Sequence, residues 1–378
     1  MLKYDSCYHM GRVGTPIVSF NRFKAMSDAM KATGRNMLLN LCNWGEDLVH
    51  TVLCASQKIS LEVHQLTCQQ WGMSIANSWR VTGDIYDSFT RPDDLCGCNT
   101  IASGDVNCVA PGTHCSVLFI LNKIAPFADR SIPGGWSDLD MLEVGQGGMT
   151  DEEYKAHFAL WAALKSPLFL GNDLRKMDPS ALSILNNPAI IALSQDPYGR
   201  SVTRVRKNTK GVAEDEWGVG ETHVWSGHLA NGDEAVILLN AGGEDIEMSV
   251  SLAEIFIPYG PGGSAPHVKF DWAIHDLWAN RMSEVTAAAL LAAKTEGERT
   301  AVLKEVNWYN ATHVSYAQGL ANEDVRLFGK KIGVVKAGGV LKAKVKSHAA
   351  RVLRLRRVKK EGETFKGKGV AREDKNEL

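Results

Sequence analysis

The chain opens on a segment equipped for nucleophilic or acid–base chemistry. In Leu2-Lys3-Tyr4-Asp5-Ser6-Cys7 a lysine and a carboxylate stand two residues apart, which on an extended strand puts both on one face. The run reads as a buried strand delivering Lys3 and Asp5 to its C-terminal end, where α/β barrels carry their chemistry. The plainer alternative is an ordinary surface aspartate.

A scaffold for such a site is legible around it. Up to residue 197 the pattern alternates strand and helix, with strands expected at 1–7, 35–44, 74–81, 136–142 and 167–170. Phe20, Phe23, Met26 and Met30 recur at helical spacing and Gly34 stops that helix. The clearest helix, 150–164, opens on Thr150 with Glu153 in capping-box position and closes before Pro167. Repeated strand–helix units favour a (β/α) barrel over a doubly wound sheet, and no Gly-x-Gly-x-x-Gly turn supports a dinucleotide fold. Only five such units are present, whereas a closed barrel has eight.

From 198 to 358 the character changes to short alternating strands at 202–205, 222–229, 234–240, 246–252, 268–276 and 349–358, broken by Gly-rich turns. This predicts an antiparallel β-sandwich. The Ala-rich stretch 285–293 reads as a helix or an unstructured insertion, and no motif in this half carries chemistry. Residues 359–378 read as a charged, disordered tail.

Composition narrows the function. Over 378 residues the net charge is −1, which gives no electrostatic reason for a nucleic-acid or membrane partner, and no apolar run reaches membrane-spanning length. The 35 glycines and 10 tryptophans fit a loop-rich protein with aromatic surfaces suited to sugars. Cys96, Cys98, Cys108 and Cys115 crowd a Gly/Asn/Asp/Pro-rich segment, where nested disulfides, Cys96 with Cys115 and Cys98 with Cys108, are favoured over a zinc site. Asn310-Ala311-Thr312 is a glycosylation sequon. These features fit an exported protein, although no secretory leader precedes Met1. The final Lys375-Asn376-Glu377-Leu378 departs at its second residue from the retrieval address that would keep a protein in the endoplasmic reticulum.

Four ordered stretches carry a resemblance: Lys3-Tyr4-Asp5, Leu41-Cys42-Asn43-Trp44-Gly45, Asn77-Ser78-Trp79-Arg80-Val81-Thr82-Gly83-Asp84 and Trp136-Ser137-Asp138-Leu139-Asp140-Met141-Leu142-Glu143-Val144-Gly145. Together they resemble glycoside hydrolase family 27, the α-galactosidases or melibiases, in its filamentous-fungal form. The resemblance implies a (β/α)8 TIM barrel followed by a β-sandwich and a retaining hydrolase of α-galactosides that needs no metal or organic cofactor. It makes Asp5 the nucleophile and Asp84 the general acid/base. Such chemistry uses two carboxyls about 5–5.5 Å apart, one ionised to attack the anomeric carbon and one protonated to release the leaving oxygen. It also implies that Lys3 and Arg80 bind sugar hydroxyls and that Cys42, Trp44 and Met141 line the galactose pocket. The bulk of Trp44 beside the 2-position would exclude an N-acetyl group. An α-N-acetylgalactosaminidase and an inactive galactose-binding relative are the alternatives. Asp138 and Asp140 are expected to hydrogen-bond loop backbone at the barrel mouth.

Two departures from the family pattern stand out. Its first three strands, about a hundred residues at ~30 per unit, and the upstream partner of Cys7 precede the Lys-Tyr-Asp motif, leaving strands 4 to 8 here. Residues 52–70, with Cys54 and Cys68, interrupt a stretch in which Thr51 would join Trp71. They begin with a valine, whose codon starts GT, and end with a glutamine, whose codon can be CAG, as a translated intron would. Transcript sequencing is expected to find messages lacking this stretch; contiguous reads from an active protein would overturn the idea.

Overall fold

The computed structural model describes residues 1–6, 16–45, 49, 71–92, 114–256, 265–306 and 308–358. Cys7, the suspected intron at 52–70, three of the four crowded cysteines and the tail from 359 lie outside them. In chain order the first half contains β1 (Leu2–Asp5), α1 (Pro16–Ala32), β2 (Leu39–Cys42), α2 (Trp71–Ile75), β3 (Ser78–Arg80), the two-residue strands β4 (Asp84–Ile85) and β5 (His114–Cys115), α3 (Val117–Ile124), β6 (Trp136–Asp138) and α4 (Asp151–Ala163).

β1, β2, β3 and β6 form one parallel sheet in that order, with Asp5 opposite Cys42, Asn40 opposite Ser78, and Arg80 opposite Asp138. β2 and β3 are buried at every position, as central parallel strands must be. β1 is mostly exposed instead, because it forms the sheet's edge among the described residues. Its alternation still sorts the side chains. Tyr4 meets Phe23 of α1 edge-on at 5.7 Å, which leaves Lys3 and Asp5 to the other face.

Several strand expectations change. The strands expected at 35–44 and 136–142 are shorter, 39–42 and 136–138. Of the one expected at 74–81, residues 74 and 75 end a helix, 71–75, whose Trp71 and Ile75, one turn apart, both enter the core, and the strand starts only at Ser78. At 167–170 a single parallel bridge joins Leu142 to Leu170 where a fifth strand was expected. Helix α4 keeps its capping box and buries ten of its 13 residues, as expected of a helix sealed between a sheet and a second layer.

The second half is antiparallel. β7 (Thr203–Asn208), β8 (Thr222–His228), β9 (Glu234–Asn240), β11 (Trp272–Asp276), β12 (Lys330–Val335) and β14 (Ala349–Arg357) form one six-stranded sheet, with β9 central and wholly buried. β10 (Ile246–Ser251) and β13 (Val340–Val345) pair as a second layer. Met248 and Val250 of that layer and Leu341 and Val345 share a core with Val236, Leu238 and Leu353. This is the sandwich; β12 and β13 are additions to the expected strands, and 284–292 is helical.

The halves are joined at the N-terminus of α4, where three successive acids each meet a cation from the sandwich half. Arg281 grips Asp151 with two bonds of 2.7 and 2.6 Å, Lys346 reaches Glu152 at 2.9 Å, and His348 Nδ1 meets Glu153 at 2.7 Å. The other His348 nitrogen lies 3.1 Å from Asp215, whose carboxylate also accepts from Thr90 of the barrel half at 2.6 Å. The Glu153 hydrogen bond, against some burial, raises the His348 pKa above its usual 6.5. A raised pKa means stability that is complete below about 6.5, the unfolded value, and lost as pH rises through the folded value. His348→Gln is expected to cost on the order of 1 kcal/mol at pH 5.5, after allowing for partial exposure. Thermal melts across pH should show the deficit fading as pH rises above the unfolded value of about 6.5 and through the higher folded one; a deficit independent of pH would contradict the assignment.

Candidate active site

The C-terminal ends of β1, β2, β3 and β6 converge on one guanidinium. Arg80, the last residue of β3, has no exposed side-chain surface. Its Nη1 donates to Asp84 Oδ1 at 3.1 Å and lies 3.9 Å from Cys42 Sγ. Its Nη2 pairs with Asp140 Oδ2 at 2.7 Å and donates to the Gly83 carbonyl at 2.7 Å. Burial alone would lower the Arg80 pKa, but the negative charges of Asp140 and Asp138 outweigh it and the net shift is upward. The guanidinium is therefore a fixed charge.

Asp5 enters from β1, on the far side of β2. The buried Cys42 thiol hydrogen-bonds its side chain, and burial first, with that bond adding, pushes the thiol pKa up to about 12. Cys42 therefore acts as a protonated donor at any working pH. Lys3 is half buried. Desolvation opposes its charge, yet its pKa is raised on balance, with the Asp140 and Asp5 carboxylates the charges that favour the ammonium at working pH.

The loop after β6 closes the arrangement. Asp138 Oδ2 accepts from Asn40 Nδ2 at 2.8 Å and its Oδ1 from the Asp140 N–H at 2.9 Å. Asp140 Oδ2 also accepts from the Ile85 N–H at 2.8 Å, tying the residue after Asp84 to the same carboxylate that holds Arg80. Both aspartates thus serve loop backbone, as the sequence suggested. Burial raises the Asp138 pKa against the pull of Arg80.

Local conformation fits these roles. Trp44, half-buried, and Asp140 both have positive φ, 53° and 80°, a region that non-glycine residues seldom occupy. Gly45 follows at φ 77°, and a Cβ there would lie 2.0 Å from the Val81 carbonyl oxygen. Only glycine lets the Trp44 turn lie against the strand that carries Arg80. Met141 is 44% exposed beside the site, on the loop that carries Asp140.

Helix α4 supplies residues that sequence reasoning passed over. Trp161 Nε1 donates to the Asp140 carbonyl at 2.9 Å, and His157 Nε2 accepts from the Glu143 N–H at 3.1 Å. Burial pushes His157 down to about 3, so the ring is neutral and able to accept. Glu143 itself is pushed up to about 7, by burial first and then by Asp87 and Asp140. The i, i+4 spacing of His157 and Trp161 was the available signal; their partners lie on another loop.

Comparisons with known proteins agree with this architecture. Residues 113–196 match the family model described as alpha galactosidase A, and 219–304 that of the alpha galactosidase C-terminal beta sandwich domain. An alpha-galactosidase of Zygotorulaspora mrakii is 44% identical over 355 residues, 94% of this chain and 69% of the relative, and alpha-galactosidase 5 of Saccharomyces cerevisiae gives the same figures. The structure of an S. cerevisiae alpha-galactosidase with raffinose superposes with a TM-score of 0.81 at 41% identity, covering 94% of this chain and 72% of that one. Alpha-galactosidase I of Mortierella vinacea gives 0.65 at 32% identity, covering 94% and 67%. Fold and comparisons together define a barrel-and-sandwich glycoside hydrolase. The chain belongs to the α-galactosidase (melibiase) family, glycoside hydrolase family 27.

Removing Asp140 should expose the cost of the buried cation. Asp140→Ala is expected to lose about 3–5 kcal/mol of stability, the usual penalty for stranding a buried charge, with Asp140→Asn intermediate because it keeps an acceptor. Urea unfolding measures this; an unchanged midpoint would show that Arg80 finds another counter-charge.

Proposed function

We propose that this chain acts as a retaining α-galactosidase in which Asp5 attacks the anomeric carbon and Asp84 serves as acid and then base. In the first half-reaction a bond forms from an Asp5 oxygen to the anomeric carbon, the glycosidic bond breaks, and the Asp84 proton passes to the leaving oxygen. In the second, Asp84 takes a proton from water, which displaces Asp5 and releases galactose.

The observation that carries the reading is the bridge between the two carboxyls. Asp5 stands opposite Cys42 in the β1–β2 register, within reach of its thiol, Cys42 Sγ lies 3.9 Å from Arg80, and Arg80 donates to Asp84. A nucleophile and an acid on different strands are thus organised by one buried cation. Lys3 and the half-buried Trp44 and exposed Met141 are the side chains left to meet the sugar, while the Arg80 NH2 groups are engaged within the protein. Trp44 selects against a 2-acetamido group by bulk. The substrate class is terminal α-galactosides, and the enzyme works after export, consistent with Cys115 standing in a disulfide.

Asp5→Asn is expected to abolish turnover. Asp84→Asn should lower kcat/KM, which reports the first half-reaction, by about 10²–10⁴ for aryl α-galactosides with poor leaving groups and far less for activated ones. Steady-state kinetics over a leaving-group series checks both, and an equal loss across the series would remove Asp84 from the acid role. Aryl α-N-acetylgalactosaminides run alongside test Trp44.

A further inference from the structure

Helix α4 touches both the joint between the halves and the loop behind the acid. At its N-terminus Asp151, Glu152 and Glu153 are held by Arg281, Lys346 and His348. Near its C-terminal end Trp161, fully buried, donates to the carbonyl of Asp140, and His157 receives the N–H of Glu143. Asp140 in turn fixes Arg80 and the Ile85 N–H, the two groups that flank Asp84.

We propose that α4 is a positioning element for the acid/base: Trp161 holds the Asp140 loop in the arrangement that fixes Asp84, and the C-terminal sandwich contributes to catalysis by anchoring the other end of α4. The inference rests on Asp84 as the proton donor. The geometry supports transmission because each link is a direct contact. α4 is buried along most of its length, the His157 and Trp161 rings pack edge-on at 4.2 Å, and Asp140 sits at φ 80°, a conformation that relaxes once its carbonyl is released. A shift of about an ångström at Asp84 suffices for a large rate effect, since proton transfer demands close alignment.

The test uses the full chain and a series of aryl α-galactosides of falling leaving-group ability. Trp161→Phe keeps an aromatic ring and removes the N–H donor. It should lower kcat/KM for poor leaving groups about 10-fold or more, with the kcat/KM of activated substrates changed less than about 3-fold. Trp161→Phe also leaves a small cavity, so a second variant, Arg281→Gln with Lys346→Gln, loosens the distant end of α4 without touching the core. It should show the same leaving-group signature more weakly. Losses equal across the series, or explained by the fraction of folded enzyme in melts, would reduce α4 to a structural role and overturn the proposal. Asp84→Asn is run in parallel. If that variant lacks leaving-group dependence, the acid assignment is what fails; if it shows the dependence and both α4 variants lack it, the positioning role alone is refuted.

Discussion

A buried arginine is an expensive group to build a site around. Arg80 has no exposed side-chain surface, and an ion withdrawn from water is tolerated only with well-placed counter-charges and hydrogen bonds. Here Asp140 supplies the ion pair, the Gly83 carbonyl a hydrogen bond, and Asp84 a second carboxylate. Because the guanidinium is planar and each NH2 group has a fixed direction, satisfying it sets the relative positions of residues from β2, β3, β4 and the loop after β6. The same constraint that keeps the charge tolerable aligns the candidate acid with the strand next to the candidate nucleophile.

The second half of the chain enters through that constraint. The sandwich brings no catalytic motif, yet its cations close on an acidic triplet at the first turn of α4. Those acids already suit the helix N-terminus, where the macrodipole favours negative charge, and Glu153 serves the capping box and His348 at once. The joint is polar and partly exposed, so it orients the two halves more than it glues them. The buried apolar residues common to both, among them Trp161, Trp225 and Val352, supply the bulk of the adhesion.

Local signals were legible where they are complete within a few residues. The Thr150–Glu153 capping box and the seven-residue strand Glu234–Asn240 stand where the sequence placed them, because a cap needs only i and i+3 and a buried central strand needs only its apolar run. The strand expected over 74–81 began too early, because Ser74 and Ile75 close the helix 71–75 and the pairing starts only at Ser78. β12 and β13 went unseen although Val340-Leu341-Lys342-Ala343-Lys344-Val345 alternates, since lysines at every other position look like a solvated run until the opposite face is known to be covered. Asp5, Arg80 and Asp84 were singled out through ordered motifs, and the strand ends that carry them lie together. The Trp161–Asp140 bond, spanning 21 residues, is a product of packing, and no local pattern encodes it.

The strained residues bear on how a site made of loop ends achieves precision. Trp44 and Asp140 both occupy left-handed backbone, each costing on the order of 1–3 kcal/mol. Each is held from outside, Trp44 by a glycine turn packed on Val81 and Asp140 by Trp161 and by the pairing of its carboxylate with Arg80. A loop that reached these conformations by its own preferences would also leave them easily. One that reaches them only under restraint from a buried core has a single accessible arrangement, so the stiffness of the site derives from α4 and the sheet beneath it. Released from either support, the loop would relax first at Asp140, and Arg80 and Asp84 would follow because their partners are shared.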